Sequence, residues 1–548
     1  MSKKQIVILG GGFAGVYAAM RLEKMLARGE ADVHLVNREN YFVYQPMLAE
    51  VISGSIGLTE TVVPIRLLCP RTALVMREVE KIDLNNRTVT VSPGFRPRSM
   101  TISYDYLVIG LGSVTNFVGM PGMLEHARRF RTLADALFLR NHVIHALEEA
   151  DIEADAELRR KILTFVVAGG GFSGVEVVAE LNDFVHTVAR KYHNIPTDEI
   201  RSVLVHSGDR ILPEMVATLG LFAQRLLIKR GVEIILNDRL VAATSEKAIL
   251  KSGREIPTKT VVSTVPSTTV PVLRELDCPK DRDRLLVNGH LELEGHEGQV
   301  WVLGDCASVR TKSGNPVPPT AQHAIQEATT VARNICAVMR GGPRTVFDFE
   351  GLGKLGSLGH HSAVAEILGF RFSGFLAWLL WRLIYLMKMP GFNRKFRIAA
   401  DWFMALFFPP DLVQLKIEGT PGITEQHFEP GDIVFNQGDL GDSVYVIQKG
   451  TCEVLRQRDG AQDTLAVLGP GECFGEMAVL GDTSRNATVR AVYPVDVLVI
   501  SKRDFQKLKS NVHAFGAVFE ELARRRAETT DKIDKIDTSF PPGGSSGP

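Results

Sequence analysis

The chain opens with an apolar run, "QIVILG" at 5–10, which breaks into glycines and continues as "FAGVYAAMRL", where apolar residues recur every three or four positions. A run without polar members predicts a strand covered on both faces, and the 3.6-residue recurrence predicts a helix behind it. The same order returns in "KILTFVVAGGGFSGVEVVAEL" at 161–181. Two more apolar runs, "YDYLVIGLGSVTNF" at 104–117 and "VWVLGDCASV" at 300–309, end in glycine turns. A helix is predicted from "PPTAQHAIQEATTVARNI" at 318–335, with Thr320 as its cap behind Pro318 and Pro319. From residue 427 the period changes. "HFEPGDIVFNQGDLGDSVYVIQKGTCEVLRQRDG" has short β-rich runs between Gly-Asp and Lys-Gly turns, the pattern of a small jelly-roll barrel.

The two glycine breaks carry chemistry. Gly10, Gly12 and Gly15 form one G-x-G-x-x-G, and Gly169, Gly171 and Gly174 form another. Such glycines allow a tight turn and let backbone approach a pyrophosphate seated on a helix N-terminus. One copy is weak evidence; two, each framed by strand and helix about a domain apart, point to two dinucleotide sites. Gly110 and Gly112 belong to the turn after 104–109, and Asp305 stands where it could reach ribityl hydroxyls. A helix starting at Ala321 would aim its positive end at a flavin. These segments assign FAD to the first unit and a nicotinamide nucleotide to the second, inserted into the first. The residue ending the second strand of each unit, usually acidic and ribose-binding, is Asn37 in one and His206 in the other, so NADPH stays open beside NADH.

"RENYFVYQPMLAEV", "DALFLRNHVIHALEEAD", "GGGFSGVEVVAEL", "GDCA" and "PPTAQHAIQEA" resemble type II NADH dehydrogenases, the non-pumping NADH:quinone oxidoreductases, over roughly residues 1–415. The resemblance implies that Glu176 lies beside the nicotinamide and that Gln322 and Gln326 lie at the quinone end of the flavin. The two glutamines are four apart and share a helix face. Residues 10–68 contain no cysteine, so no thiol relay is expected and electrons should leave to a diffusible acceptor.

The segment 372–413 suggests which acceptor. Leu376, Leu379, Leu380, Leu383, Ile384 and Met387 fall on one helical face, and the apolar run stops at Arg382, short of a bilayer span. Trp378, Trp381 and Trp402 with basic flanks are expected at an anionic membrane surface. A peripheral enzyme on the cytoplasmic face of the cell membrane is expected, with a buried core or dimer interface as the alternative for this segment.

Residues 427–525 resemble cyclic nucleotide-binding domains, with "FGEMAVLGDTSRNATVRA" at 474–491 as their phosphate-binding cassette. Arg485 would pair with the cyclic phosphate, Glu476 would accept from the ribose 2′-OH, and backbone N–H groups of Gly475, Glu476, Met477 and Ala478 would assist. Asn486 stands where the well-studied kinase cassettes have alanine or threonine, leaving cAMP and cGMP both open. A silent barrel is the alternative. The helical stretch at 503–533 would relay a signal or pair chains into a homodimer, and the final "PPGGSSGP" should be disordered.

The fold expected is therefore α/β with two Rossmann-like domains, then amphipathic membrane-surface helices, then an all-β jelly-roll barrel with flanking helices. The divisions are 1–155 and 288–345 for FAD, 156–287 for NAD(P)H, 346–416 for the membrane module, 417–426 for a linker, 427–525 for the barrel and 526–548 for a tail. The composition adds exclusions. In 548 residues Lys+Arg and Asp+Glu are both 63, giving no electrostatic reason for nucleic acid. The six cysteines fit neither a disulfide framework nor a metal site. "MSKK" runs straight into the first strand, with no room for a signal peptide, so a cytoplasmic start is expected. Two rival readings stay open: a soluble NAD(P)H oxidase or reductase of another acceptor, and a sensor of redox state and cyclic nucleotide.

Overall fold

Ile6, Val7, Ile8 and Leu9 are fully buried, as a strand covered on both faces requires, and they form the centre of a parallel sheet. Its order is Val300–Val302, Tyr106–Ile109, Lys4–Leu9, Ala31–Asn37, Ala73–Met76, with Ile6 facing Val33 on one side and Tyr106 on the other. The computed structural model describes residues 3–92, 99–117, 120–264, 267–405, 407–408, 410–415, 423–439, 441, 443–458, 461–481, 484–502, 505 and 524.

The described residues form two compact units, those within 1–116, 128–239 and 260–414 making one and those within 117–127, 240–259 and 415–548 the other. Within the first, the chain leaves the initial sheet after Tyr106–Ile109 and builds a second parallel arrangement of Thr260–Ser263, Thr164–Ala168, Arg201–Val205 and Val232–Ile235. It then returns with Val300–Val302 to the edge of the first sheet. The second sheet is thus inserted in sequence between strands of the first. The helices Phe13–Met25 and Ala321–Arg340 pack on each other, and alanines 14, 18, 19, 324, 328 and 332 are buried. Small side chains on both partners bring the axes close. Thr320 does occupy the N-cap position, but its hydroxyl makes no capping bond; it lies 2.6 Å from His323 Nδ1 instead.

The first unit ends in a three-stranded antiparallel sheet, Gly353–Ser357, Ala363–Ile367 and Phe370–Gly374, followed by the helices Phe375–Lys388 and Phe392–Met404. Leu376, Leu379, Leu383 and Met387 are exposed, while Leu380 and Ile384, expected on the same face, are half-buried. The tryptophans are not. Trp378, Trp381 and Trp402 turn inward at 8%, 1% and 6% exposure, which corrects their expected place at a membrane interface. Their faces are occupied by Arg382, 4.1 Å above Trp378 and 4.5 Å above Trp402, a cation–π clamp that fastens the two helices. No helix among the described residues is long and apolar enough to cross a membrane.

The second unit contains two four-stranded antiparallel sheets. One is ordered Ile423–Phe428, Val495–Ser501, Ser443–Lys449, Cys473–Phe474; the other Ile433–Phe435, Thr488–Ala491, Cys452–Arg458, Ala461–Leu468. Phe428, Phe435, Tyr445, Phe474, Val495 and Val497 fill the space between them. A further antiparallel sheet joins Leu240–Ala243, Lys247–Leu250 and Glu255–Pro257. The expected tail and, apart from Phe505 and Arg524, the helical stretch at 503–533 lie outside the described residues.

Candidate functional site

The first glycine loop is fixed by close backbone contacts. Gly10 has φ +102° and a Cβ there would lie 2.3 Å from Gly110 O; at Gly15 it would lie 1.9 Å from Gly10 O. Gly15 therefore lets helix approach strand, while Gly12 has nothing within 4 Å of its Cβ direction and opens on a cavity of about 790 Å³. Gly10, Gly12, Asn37, Gly110, Gly112, Asp305 and Ala321 all line that cavity. Asn37 Oδ1 accepts from Gly11 N at 2.8 Å, and its Nδ2 donates to Glu39 O at 2.8 Å. Asp305 Oδ2 accepts from Ser113 Oγ at 2.9 Å and faces Arg131 at 3.3 Å. Buried Glu327 accepts from Gly304 N at 2.6 Å and anchors the turn before Asp305. Burial pushes its carboxyl up to about 7.

The second loop repeats the design. Gly169 has φ +116°, with a Cβ 2.3 Å from Thr264 Oγ1, and Gly174 would meet Gly169 O at 1.8 Å. His206 takes the place of Asn37: its Nδ1 accepts from Gly170 N at 3.1 Å. Burial lowers its pKa, so the imidazole is neutral and carries its proton on Nε2. Arg210 is occupied by the carbonyls of Met215 (2.9 Å) and Pro213 (3.2 Å).

Glu176 follows this loop on the helix Phe172–Ala189. Its Oε1 accepts from Ser357 N at 3.1 Å, and desolvation raises its carboxyl to about 8. Glu176 is half-buried, whereas Glu180, one turn on, and Glu50 are buried, and burial raises both above the usual carboxylate range. Glu50 is held by Trp402 Nε1 at 2.7 Å and faces Arg382 at 3.8 Å. Gln322 is not among the residues lining the large cavity; its Nε2 donates to Gly353 O and its Oε1 accepts from Leu352 N, both at 3.1 Å. Gln326 is half-buried on the same helix.

In the second unit a cavity of about 190 Å³ is lined by Gly475, Glu476, Met477, Ala478, Arg485 and Asn486 together with apolar residues. Gly475 has φ +85°, and a Cβ there would lie 2.5 Å from Arg485 Nη1. Arg485 lies over the Phe435 ring at 4.1 Å and donates from Nη1 to Gly475 O at 2.8 Å and from Nη2 to Ser443 O at 2.9 Å. Sequence reasoning missed Ser113, Arg131, Glu327, Glu50 and Arg382. Ser113, Glu50 and Glu327 lie inside quoted stretches and Arg382 ends the apolar run, yet no pattern gave them a role: a carboxylate within a helical or loop stretch reads as a solvated face until the fold buries it.

The glycine cradles, with no room for a Cβ, and the open cavity beside the first of them fit a dinucleotide with a flavin. Comparison with known proteins agrees. A family model described as pyridine nucleotide-disulphide oxidoreductase matches residues 4–328, one for an NDH2 C-terminal domain matches 352–411, and one for a cyclic nucleotide-binding domain matches 425–511. The chain is 31% identical to the demethylphylloquinone reductase NdbB of Synechocystis over 409 residues, 73% of this chain and 96% of the relative. It is 30% identical to the type II NADH:quinone oxidoreductase Ndh of Mycobacterium tuberculosis over 416 residues, 73% and 87% of the two chains. The solved structure of NDH2 from Plasmodium falciparum with NADH superposes with a TM-score of 0.68 at 18% identity, covering 75% of this chain and 100% of that one.

Proposed function

Since the chain belongs to the pyridine nucleotide-disulphide oxidoreductase family, we propose that its first unit is a flavin-dependent, non-pumping NADH:quinone oxidoreductase and that its barrel binds a cyclic nucleotide. The observation that carries the redox reading is the pair of glycine cradles, one opening on the large cavity and the other preceding Glu176. All six cysteines are free, so no disulfide stands ready to take the electrons.

Gly10, Gly12, Gly15, Asn37, Gly110, Gly112, Asp305 and Ala321 would hold FAD, and Gly169, Gly171, Gly174, Glu176 and His206 the nicotinamide nucleotide. When bound, the flavin supplies two-electron chemistry between a hydride donor and an acceptor that takes electrons. The chain aligns and excludes water. The start of the helix Ala321–Arg340 favours negative charge in the cavity, and Glu327 holds the Gly304 turn in register with it. Net turnover of NADH and a quinone consumes one proton. Glu176 carries one at neutral pH because its carboxyl titrates near 8. Quinone reduction is accordingly expected to fall as pH rises through about 8, and Glu176→Gln should lower kcat by roughly 100-fold and flatten that limb.

Steady-state NADH oxidation with and without a soluble quinone tests the reading. A rate that rises with quinone is expected; one that never responds points to the oxidase or sensor alternatives. Calorimetry with cAMP and cGMP tests the barrel, and heat that survives Arg485→Glu would place the ligand elsewhere.

The exposed apolar side chains of Phe375–Lys388 and Phe392–Met404 support peripheral attachment to a membrane surface; the cytoplasmic side, and Gln322 and Gln326 at the quinone end, are part of the same proposal.

A further inference from the structure

The barrel's central arginine is already engaged by an anion from its own chain. Within the second unit, Glu125 Oε1 lies 3.3 Å from Arg485 Nη2 and accepts from Tyr445 Oη at 2.9 Å. Leu124, beside it, packs on the barrel core, and the arginine and glutamate side chains are 1% and 10% exposed. Arg485 therefore has two uses in one fold: partner of Glu125 and wall of the cavity lined by Glu476 and Asn486.

The guanidinium geometry decides whether both uses can coexist. Nε and Nη2 lie on one edge of the group, the edge that pairs with an oxyanion through two parallel bonds. Nε is buried and has no hydrogen-bond partner among the described residues, while Nη2 is shared between Ser443 O and Glu125. A phosphate that takes this edge needs Nη2, and it would bring a second negative charge against the Glu125 carboxylate in a site shielded from water. Two anions at one buried guanidinium repel each other more strongly than they would in solvent.

We propose that Arg485 is the docking point for the segment 120–126, and that Glu125 and the phosphate of a cyclic nucleotide exclude each other there. The proposal rests on the reading of the barrel as a nucleotide site and adds its competitor. It also supplies a route by which binding is felt. In sequence the segment is bounded by Ser113–Thr115 on one side and by Arg129 and Arg131 on the other, all of which line the larger cavity of the first unit. Arg131 contacts both Ser113 and Asp305 there. Release of Glu125 would free the link between those two cavity walls, and nucleotide would then alter turnover of NADH.

The test uses the full chain. Glu125→Gln removes the charge and keeps an acceptor, so its affinity for cAMP or cGMP, measured by calorimetry, is expected to tighten about tenfold over the parent. Saturating nucleotide is expected to speed hydrogen exchange over residues 120–126 in the parent. An affinity in Glu125→Gln equal to or weaker than the parent's, or exchange that nucleotide leaves unchanged, would overturn the competition. If neither chain binds nucleotide, the nucleotide reading and the competition fall together. The docking contact is then judged on exchange alone: faster over 120–126 in Tyr445→Phe and Arg485→Lys if it holds, unchanged if it does not.

Discussion

A methyl group on Gly10 would sit 2.3 Å from the carbonyl oxygen of Gly110, whereas one on Gly169 would sit 2.3 Å from the hydroxyl of Thr264. The first clash is with backbone; the second is with a hydroxyl that donates to Ala168 O at 2.8 Å, and since φ is +102° and +116° at the two glycines, either substitution strains its own loop. Gly10→Ala is therefore expected to yield a colourless, destabilised protein, read from the flavin absorbance of the purified chain. Gly169→Ala should keep the colour and raise the KM for NADH. Glu327 makes a prediction in pH. Its folded carboxyl titrates at about 7, above the ordinary value of 4.5, so the native state holds a proton that the unfolded chain has released. Stability from this group is full below the unfolded value and is lost as pH rises from there through about 7, by roughly 3 kcal/mol. Glu327→Gln keeps an acceptor for Gly304 N, and its melting temperature should fall less than the parent's between pH 5 and 7.

At the scale of elements, the helix Phe375–Lys388 has two faces with opposite duties. Trp381 is buried against Tyr385 and Trp402, with ring centroids at 4.9 and 6.5 Å. Removing it in Trp381→Ala should cost about 3–5 kcal/mol, visible in denaturant unfolding. Leu379 and Leu383, at 50% and 51% exposure, touch no such core. Leu379→Glu with Leu383→Glu should leave the melting temperature nearly unchanged and abolish flotation with anionic liposomes. Flotation that survives the pair would remove this helix from the membrane contact. A helix that is amphipathic in this sense needs its aromatic residues inside as rivets, and Arg382 supplies their charge partner.

For the whole molecule, the first parallel sheet is completed only when the chain returns at Val300–Val302 after building a second domain. The matched oxidoreductase and C-terminal family models end at residues 328 and 411, ahead of the cyclic nucleotide-binding match that starts at 425. A chain ended at Gln414 is expected to keep quinone-dependent NADH oxidation and to lose any response to cyclic nucleotide. Failure of that shortened chain to oxidise NADH would show that the barrel is part of the catalytic body.

Strand–glycine–helix patterning was enough to place both cradles, because a run buried on both faces and a turn without Cβ leave direct marks on composition. The change of period at 427 marked the β-rich unit, although its first strand begins at Ile423, inside the expected linker 417–426. What the chain alone could not reveal was who meets whom across long separations. The inward turn of Trp378, Trp381 and Trp402, the burial of Glu50 and Glu180, and the hold of Glu125 on Arg485 each join residues far apart in sequence. Apolar periodicity reports which side of an element avoids water, but not which neighbour provides the shelter. Only the assembled fold removes solvent from those carboxylates and assigns the arginine its partner.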